Sequence, residues 1–244
     1  MKSKNLLKKC IFLVVMALII FAVLLIVVRY EVEGEKEMPF DLSKILIVSS
    51  VNGIPNQDNE NIWNISVSET NDIYIYIDRD EGSKELIKSV SLENFDIENL
   101  TSTERDYKIY RPTGEMENLY SKSEADYKED VISYQGSKID DLKALEVSNI
   151  GGMVAFRFSE ENLGTFTSNE EGLEIHYDGN LLTNLGITVD DVKAKLGFDI
   201  IIETVSGIKY KGTVEVTVPG DDLITNGSST IELTNFDEVI FKRV

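Results

Sequence analysis

The chain has 244 residues, with 24 Lys or Arg, 43 Asp or Glu, one His, one Cys and a formal net charge of −19. This charge argues against nucleic acid as a partner, because a phosphate backbone is bound by a basic surface. The single cysteine, Cys10, excludes an intramolecular disulfide and any cysteine-built zinc or iron–sulfur site. One His removes most of the familiar metal and acid–base constellations.

Charge is unevenly distributed along the chain. Residues 1–29 contain five basic residues and no acidic residue, so this stretch carries +5. The remaining 19 basic and 43 acidic residues give residues 30–244 a net charge of −24. The two parts are therefore expected to lie in different surroundings.

An uninterrupted apolar segment follows the basic N-terminus. Residues 10–28 (CIFLVVMALIIFAVLLIVV) contain no charge, Pro, Gly or amide. A helix of this length would extend roughly 28 Å, close to the hydrocarbon thickness of a bilayer. We interpret it as an uncleaved transmembrane signal anchor, because it exceeds the length of a secretory h-region and the bulky, charged RYEVEGEKE follows it where a cleavage site would need small residues.

The flanks of this segment predict its orientation. Four Lys lie in residues 1–9, whereas acidic residues dominate 29–39. Since positive charge stays on the cytoplasmic side, residues 1–9 are expected to be cytoplasmic and the chain beyond the apolar segment to lie outside. Residues 29–39 are expected to form an acidic stalk, extended over 31–39, with an extracytoplasmic domain over 40–244. The excess of Lys over Arg, with many Asn, Ile and Tyr, is typical of a low-GC bacterium.

Beyond the stalk, the recurring pattern is a short run of β-branched and aromatic residues bounded by Asn, Gly, Asp or Ser. Trp63, Ile65 and Val67 alternate with polar residues, which is the period of a strand with one buried face. The same reasoning predicts strands over 45–49, 62–68, 71–79, 87–92, 107–110, 131–134, 153–158, 164–167, 173–177, 230–233 and 239–241.

A β-hairpin is predicted near the C-terminus. Residues 198–205 and 208–218 are both rich in strand-forming residues, and only Ser206-Gly207 separates them. In the second arm, apolar residues alternate with Lys, Thr and Glu. One face of the hairpin is therefore expected to be buried and the other to be solvated.

Helical signals are sparse. Thr188 can begin a helix over 188–197, Val189, Val192 and Leu196 share one face, and Gly197 can end it. A weaker candidate covers 115–128. Many short strands and few helices predict an all-β domain, an antiparallel β-sandwich or related Greek-key fold with one short connecting helix. A division into two subdomains near 112–152 is left open.

Catalytic motifs are scarce in the sequence. His176 alternates with apolar neighbours in LEIHYD, which predicts a surface position between two carboxylates. Nucleophile elbows, phosphate loops and the H-E-x-x-H motif are absent from the sequence. A pair of carboxylates could still hydrolyse a glycan, but the sequence does not show which acids would face each other.

Two acidic stretches are weak candidates for calcium, which binds oxygen ligands. Asp78 and Asp80 precede Gly82 in one stretch, and Asp221 and Asp222 form the other. Neither completes an EF-hand, because the loop starting at Asp78 would need Glu where Ser89 stands. Solvated acidic loops are the simpler interpretation, and no other cofactor is indicated.

The sequence therefore favours a non-enzymatic, membrane-tethered module that binds or scaffolds an extracytoplasmic protein or glycan. Tyr74, Tyr76 and Tyr134 would favour a glycan if they clustered on an exposed concave face, although such residues are more often part of sheet packing. The alternatives are a cell-wall glycan hydrolase with paired carboxylates, and an ectodomain subunit of a membrane assembly.

Overall fold

The computed structural model describes residues 2–59, 62–101, 105–112, 131–136, 145–168 and 175–244. This part of the chain is mostly β, in two sheets, with one long helix and three short ones. The helices are α1 (Lys2–Glu33), α2 (Asn180–Thr183), α3 (Val189–Val192) and α4 (Asp221–Asn226). The strands are β1 (Phe40–Asn59), β2 (Ile62–Arg79), β3 (Ile87–Asn99), β4 (Tyr107–Tyr110), β5 (Val131–Gly136), β6 (Leu145–Val147), β7 (Gly151–Ser168), β8 (Ala194–Thr204), β9 (Lys209–Val218), β10 (Ser228–Leu233) and β11 (Lys242–Arg243).

Helix α1 contains the apolar segment. The span Ile11–Glu33 has 23 residues and a mean hydropathy of 3.6, and none of its most apolar window is buried against the rest of the chain. By length and composition it can cross a membrane, and a signal sequence near an N-terminus meets the same criteria.

The extended conformation expected for residues 31–39 is wrong for 31–33, which complete α1. Alternate glutamates do not face each other on a helix, whereas residues four apart do. Arg29 Nε accordingly donates to Glu33 at 2.9 Å. The link between the apolar helix and the β domain is therefore shorter than the charge pattern alone indicated.

The strands form a five-stranded sheet in the order β10-β1-β2-β7-β4 and a six-stranded sheet in the order β11-β9-β8-β3-β5-β6. Neighbouring strands are antiparallel except β5 and β6, which are parallel. Strands from before and after residues 112–152 pair with each other in both sheets, as β2 does with β7 and β3 with β8.

Three long strands form the centre of the first sheet. β1, β2 and β7 pair over almost their whole lengths. The predicted strands 153–158 and 164–167 are two parts of β7, separated by an irregularity where Gly164 faces Val67 and Glu160 faces Glu69. The extra residues 161–163 bulge out of the ladder there.

Two hydrophobic clusters occupy successive parts of these three strands. The larger contains residues from both sheets, among them Ile75 of β2, Phe156 of β7 and Phe198 of β8. The smaller lies farther along the same strands, where Val51 and Val67 pack with residues of the short helices, such as Leu182. One half of β1–β2–β7 is thus covered by the second sheet, and the other half by α2, α3 and α4.

The predicted hairpin is confirmed, since β8 and β9 pair from Ala194↔Val218 to Glu203↔Lys209. Along β9, apolar side chains occupy every second position except at Gly212. A Cβ there would lie 2.9 Å from Phe241 Cε1, so the glycine makes room for the Phe241 ring over the buried face of β9.

The predicted helix over 188–197 is wrong after its first turn. Asp191 Oδ2 accepts hydrogen bonds from the Thr188 amide at 2.9 Å and its hydroxyl at 2.7 Å, so the helix begins as expected. It ends at Val192, because Ala194, Leu196 and Phe198 alternate and bury their side chains as part of β8. The single connecting helix is also replaced by three short helices.

Two predicted strands are wrong. Residues 175–177 are not in a strand, and Tyr177 is exposed. Residues 239–241 precede the last strand instead of forming it, and Phe241 turns inward over β9. The candidate helix over 115–128 lies outside the described residues, as do residues 173 and 174.

Candidate functional site

A layer of buried polar side chains separates the two hydrophobic clusters. Ser49 of β1, Glu69 and Asn71 of β2, and Glu160 of β7 are all at most 5% exposed. They occupy two adjacent rungs of the first sheet, since Ser49 faces Asn71 and Glu69 faces Glu160. We call these four residues the polar layer.

Strand alternation puts these residues on the buried face. In β2, every second residue from Ile65 to Ile77 is buried. Glu69 and Asn71 interrupt this apolar row between Val67 and Ile73. Extending the alternation through SETND from both sides would have located the polar layer in the sequence. The short polar stretch instead looked like a break between two strands.

Glu69 is held by a short chain of hydrogen bonds. Ser49 Oγ donates to Asn71 Oδ1 at 2.5 Å, and Asn71 Nδ2 donates to Glu69 Oε1 at 2.8 Å. Burial raises the pKa of Glu69 to about 7, against the opposing effect of the Asn71 hydrogen bond. Glu69 can therefore hold or release a proton near neutral pH.

Two charged groups from other parts of the chain act on Glu69. Arg105, just before β4, lowers the pKa of Glu69 and Glu160 raises it, both less strongly than burial does. The Glu160 carboxylate accepts the amide hydrogens of Asp106 at 2.7 Å and Asn162 at 3.3 Å. Arg105 Nε is buried and has no hydrogen-bond partner in the described part of the chain.

Tyrosine and asparagine side chains extend this polar region toward the short helices. Burial raises the pKa of Tyr107 to about 12, and its ring packs edge-on against Phe158 with centroids 5.6 Å apart. Asn99 Nδ2 donates to the Asp191 carbonyl at 2.7 Å. The end of β3 is thereby joined to α3 beside the polar layer.

A polar cavity of about 310 Å³ opens beside the bulge in β7. Its lining residues are Arg105, Asp106, Lys108, Glu160, Glu161 and Asn162. Glu161 is hydrogen-bonded by both Lys108 and Tyr110, and Glu160 by backbone amides. Glu160 and Glu161 are thus already engaged in contacts within the protein.

Glu69 and Glu160 are a facing carboxylate pair, but their burial limits what they can do. A glycoside hydrolase needs both carboxyl groups to reach the glycosidic bond. Glu69 is 2% exposed and does not line the cavity. The arrangement is suited to holding a proton inside the fold and less suited to acting on an external substrate.

The calcium candidates lie on different elements. Asp78 is near the end of β2 and faces Asp41, and Asp80 follows in the turn, where its amide donates to the Pro39 carbonyl at 3.0 Å. Burial, then Asp80, raises the pKa of Asp41. Asp221 and Asp222 form the first turn of α4 and not a loop. Within the described ranges, no group of three or more His, Cys, Asp or Glu side chains could hold a metal ion.

The three tyrosines do not form one cluster. Tyr134 is buried in the larger hydrophobic cluster, where its hydroxyl bonds to both the amide and the carbonyl of Ala155. Tyr74 and Tyr76 lie on the opposite, outward face of β2 and are half-buried. His176 is exposed, as its position in the sequence predicted, although it is not in a strand.

No family model, curated protein or solved structure matches the chain. The N-terminal apolar helix and the β-rich domain fit a membrane-anchored β domain. This interpretation therefore rests on the sequence and the fold alone.

Proposed function

We propose that the chain is a single-pass, membrane-anchored, extracytoplasmic β-sandwich that binds or scaffolds a partner at the cell surface without catalysing a reaction. The observation that carries this proposal is the direct succession of an apolar helix of membrane-spanning length and a mostly β domain. The four Lys before the apolar segment favour an outward orientation of the domain.

The shared core supports the sandwich part of the proposal. Phe156 of the first sheet and Phe198 of the second pack edge to face with centroids 5.3 Å apart, and Phe95 packs on Phe156 at 4.9 Å. Contacts of this kind are expected where the inner faces of two sheets pack against each other, as in the sandwich we propose.

The outward face of β2 is the surface we propose for binding. Tyr74 and Tyr76 are adjacent on this face and each is only partly buried. Lys44 Nζ lies 4.6 Å from the centre of the Tyr76 ring, and Met153, opposite Tyr76 on β7, is 39% exposed. Tyrosine and methionine are both enriched at protein-binding surfaces, and tyrosine is common among the residues that contribute most to binding.

Photo-crosslinking from this face tests the proposal. A photoreactive phenylalanine at Tyr76 in the full-length protein should capture one discrete partner in intact membranes. The same group at Tyr177, an exposed tyrosine on another part of the molecule, should not. Equal capture from both positions, or capture from neither, would argue against a protein partner at this face. If the protein also fails to bind cell-wall glycan, binding at this face is contradicted.

Retention on purified cell-wall glycan provides the second readout. If the partner is a glycan, Tyr74→Ala and Tyr76→Ala should each reduce retention of the full-length protein, while Tyr177→Ala should not. Turnover of the glycan that disappears in Glu160→Gln would instead establish the hydrolase alternative. Retention that requires added calcium and is lost in Asp78→Asn would establish the predicted calcium site.

A further inference from the structure

The end of α1 is joined to the C-terminal part of the chain by several contacts. Glu35 N donates to the Phe241 carbonyl at 2.8 Å, and the Arg243 amide donates to Tyr30 Oη at 2.7 Å. Gly34 has a left-handed φ of +68°, and a Cβ there would lie 2.5 Å from Ile240 Cγ2. Only a glycine fits this turn, so the helix meets the domain with almost no free linker.

Three glutamates at the end of α1 are neutralised within the protein. Each forms an ion pair with a cationic side chain: Glu31 with Lys242, Glu33 with Arg29 and Lys36, and Glu35 with Arg243. A domain of net charge −24 would otherwise be repelled by an anionic membrane surface. The pairing reduces this repulsion beside the end of α1, where Glu238 also lies.

The length of α1 sets the height of the junction. If residues 10–28 fill the hydrocarbon layer, α1 continues only five residues further, to Glu33, which is about 7 Å of helix. The headgroup region adds roughly 5–7 Å on each side of the hydrocarbon. The contacts between α1 and residues 240–243 therefore fall at the level of the headgroups.

Exposed apolar side chains lie at the same end of the domain. Ile240 is 37% exposed and Val244 is 67% exposed. Both line a shallow cavity that also includes Glu31 and Lys242, so they are next to the end of α1. Apolar groups beside ion pairs suit the boundary between water and lipid.

We propose that residues 240–244, with Lys36, form a surface that rests on phospholipid headgroups and holds the β domain in one orientation on the membrane. This surface, the membrane seat, rests on the proposed membrane anchoring of α1. The distal hairpin of β1 and β2 then points away from the seat, since Ile54 is about 46 Å along β1 from Phe40.

Fluorescence quenching in liposomes tests the seat. The full-length protein carrying Cys10→Ser receives one new cysteine, at Val244 or at Ile54 as the matched distal control. Both control and test positions are more than half exposed. With an environment-sensitive dye on the cysteine and a nitroxide on the lipid headgroup, we expect severalfold stronger quenching at position 244 than at position 54.

Charge variants then test the contacts that hold the domain on the seat. Lys242→Glu should reduce quenching at position 244, and the swap Glu31→Lys with Lys242→Glu should restore it. Gly34→Ala should also reduce it, because a Cβ has no room there. Lys195→Glu, which breaks the remote pair with Glu215, should have no effect.

Resistance of the protein to alkaline extraction from the same liposomes reports separately on α1. An integrated protein with equal quenching at positions 244 and 54 would overturn the membrane seat and leave the anchor intact. An extractable protein would overturn both the seat and the membrane anchoring on which it rests.

Discussion

The two halves of β1–β2–β7 use the same strands but differ in what covers them. The half nearer the start of β1 shares a core with the second sheet, where aromatic side chains from β7, β3 and β8 interlock. The other half is covered by α2, α3 and α4, none longer than six residues, over a small aliphatic cluster. Long strands alone therefore do not give a uniform core.

The polar layer marks the change from one half to the other. Glu69 and Asn71 stand on the buried face where the second sheet stops covering β2 and the short helices begin to do so. Buried polar groups stabilise a fold only when they are paired, and they weaken the hydrophobic contact across them. The two halves are thus expected to unfold less cooperatively than one continuous core would.

The largest effect is expected from the larger cluster. Phe156→Ala removes a fully buried ring that packs on Phe95 and Phe198. We expect it to lower the free energy of unfolding by about 3–5 kcal/mol. Denaturant unfolding of the full-length protein in detergent measures this loss. Tyr177→Ala, at an exposed aromatic, should change stability by less than about 0.5 kcal/mol.

The polar layer gives the next largest effect, and it depends on pH. Because the folded-state pKa of Glu69 is raised from 4.5 to about 7, the folded protein binds more protons than the unfolded chain between these values. The stability contribution of this group is thus complete below pH 4.5 and is lost as pH rises through 7. The loss is of order 3 kcal/mol by pH 8.

Glu69→Gln should remove this dependence while still accepting the Asn71 hydrogen bond. The variant should be more stable than the natural protein at pH 8 and close to it at pH 4.5. Denaturant unfolding across this pH range measures the difference. Glu215→Gln, at an exposed carboxylate, is the control and should leave the pH profile unchanged. Parallel profiles for the natural protein and Glu69→Gln would refute the raised pKa.

The sequence predicts the sheet-covered half better than the helix-covered half. The β8–β9 hairpin and the part of β2 that contains Ile73, Ile75 and Ile77 follow from alternation, because one face of each is buried against a large core. The predicted helix over 188–197 is wrong because Leu196 fits the period of a helix and also that of a strand. Ala194, Leu196 and Phe198 alternate along β8, and their burial favours the strand. Tertiary burial here overrides a local helical pattern.

The sequence could have predicted which residues of the polar layer are buried, but not which residues they contact. Alternation through Val67 and Ile73 places Glu69 on the buried face, which is unusual for an acid. The partners could not be predicted, since Arg105 and Glu160 approach Glu69 from positions distant in the chain. One half of β1–β2–β7 is covered by the second sheet and the other by short helices. This division likewise depends on contacts between distant parts of the chain, which local sequence does not encode.

A smaller, local effect is expected in the helix-covered half. Leu182→Ala removes a fully buried side chain of α2 from the smaller cluster and should cost about 2 kcal/mol. Hydrogen exchange should accelerate in α2, α3 and α4 and not in β8 or β9. Uniform acceleration in both halves would show that they unfold as one unit, and the polar layer would then not separate them.

The smallest effect is expected at Asp199, on the outward face of β8, and it has the opposite pH sign to that of Glu69. Burial tends to raise the pKa of Asp199, but hydrogen bonds from Lys211 at 2.8 Å, Thr213 at 2.6 Å and Asn94 at 2.6 Å lower it overall. Its stabilisation is therefore present above its usual pKa and is lost as pH falls through the lowered value.

Asp199→Asn should cost about 1 kcal/mol at pH 7 and nothing further in acid, because hydrogen bonds to a charged acceptor are replaced by weaker ones near the surface. The free energy of unfolding should be measured between pH 2 and 8. As the pH falls, the natural protein should lose the stabilisation from Asp199 and gain the stabilisation from Glu69. The Glu69→Gln/Asp199→Asn double variant should lose both slopes additively, because the two groups lie on different sheets and share no hydrogen-bond partner. Non-additive slopes would mean that the two sheets respond to protons as one coupled core.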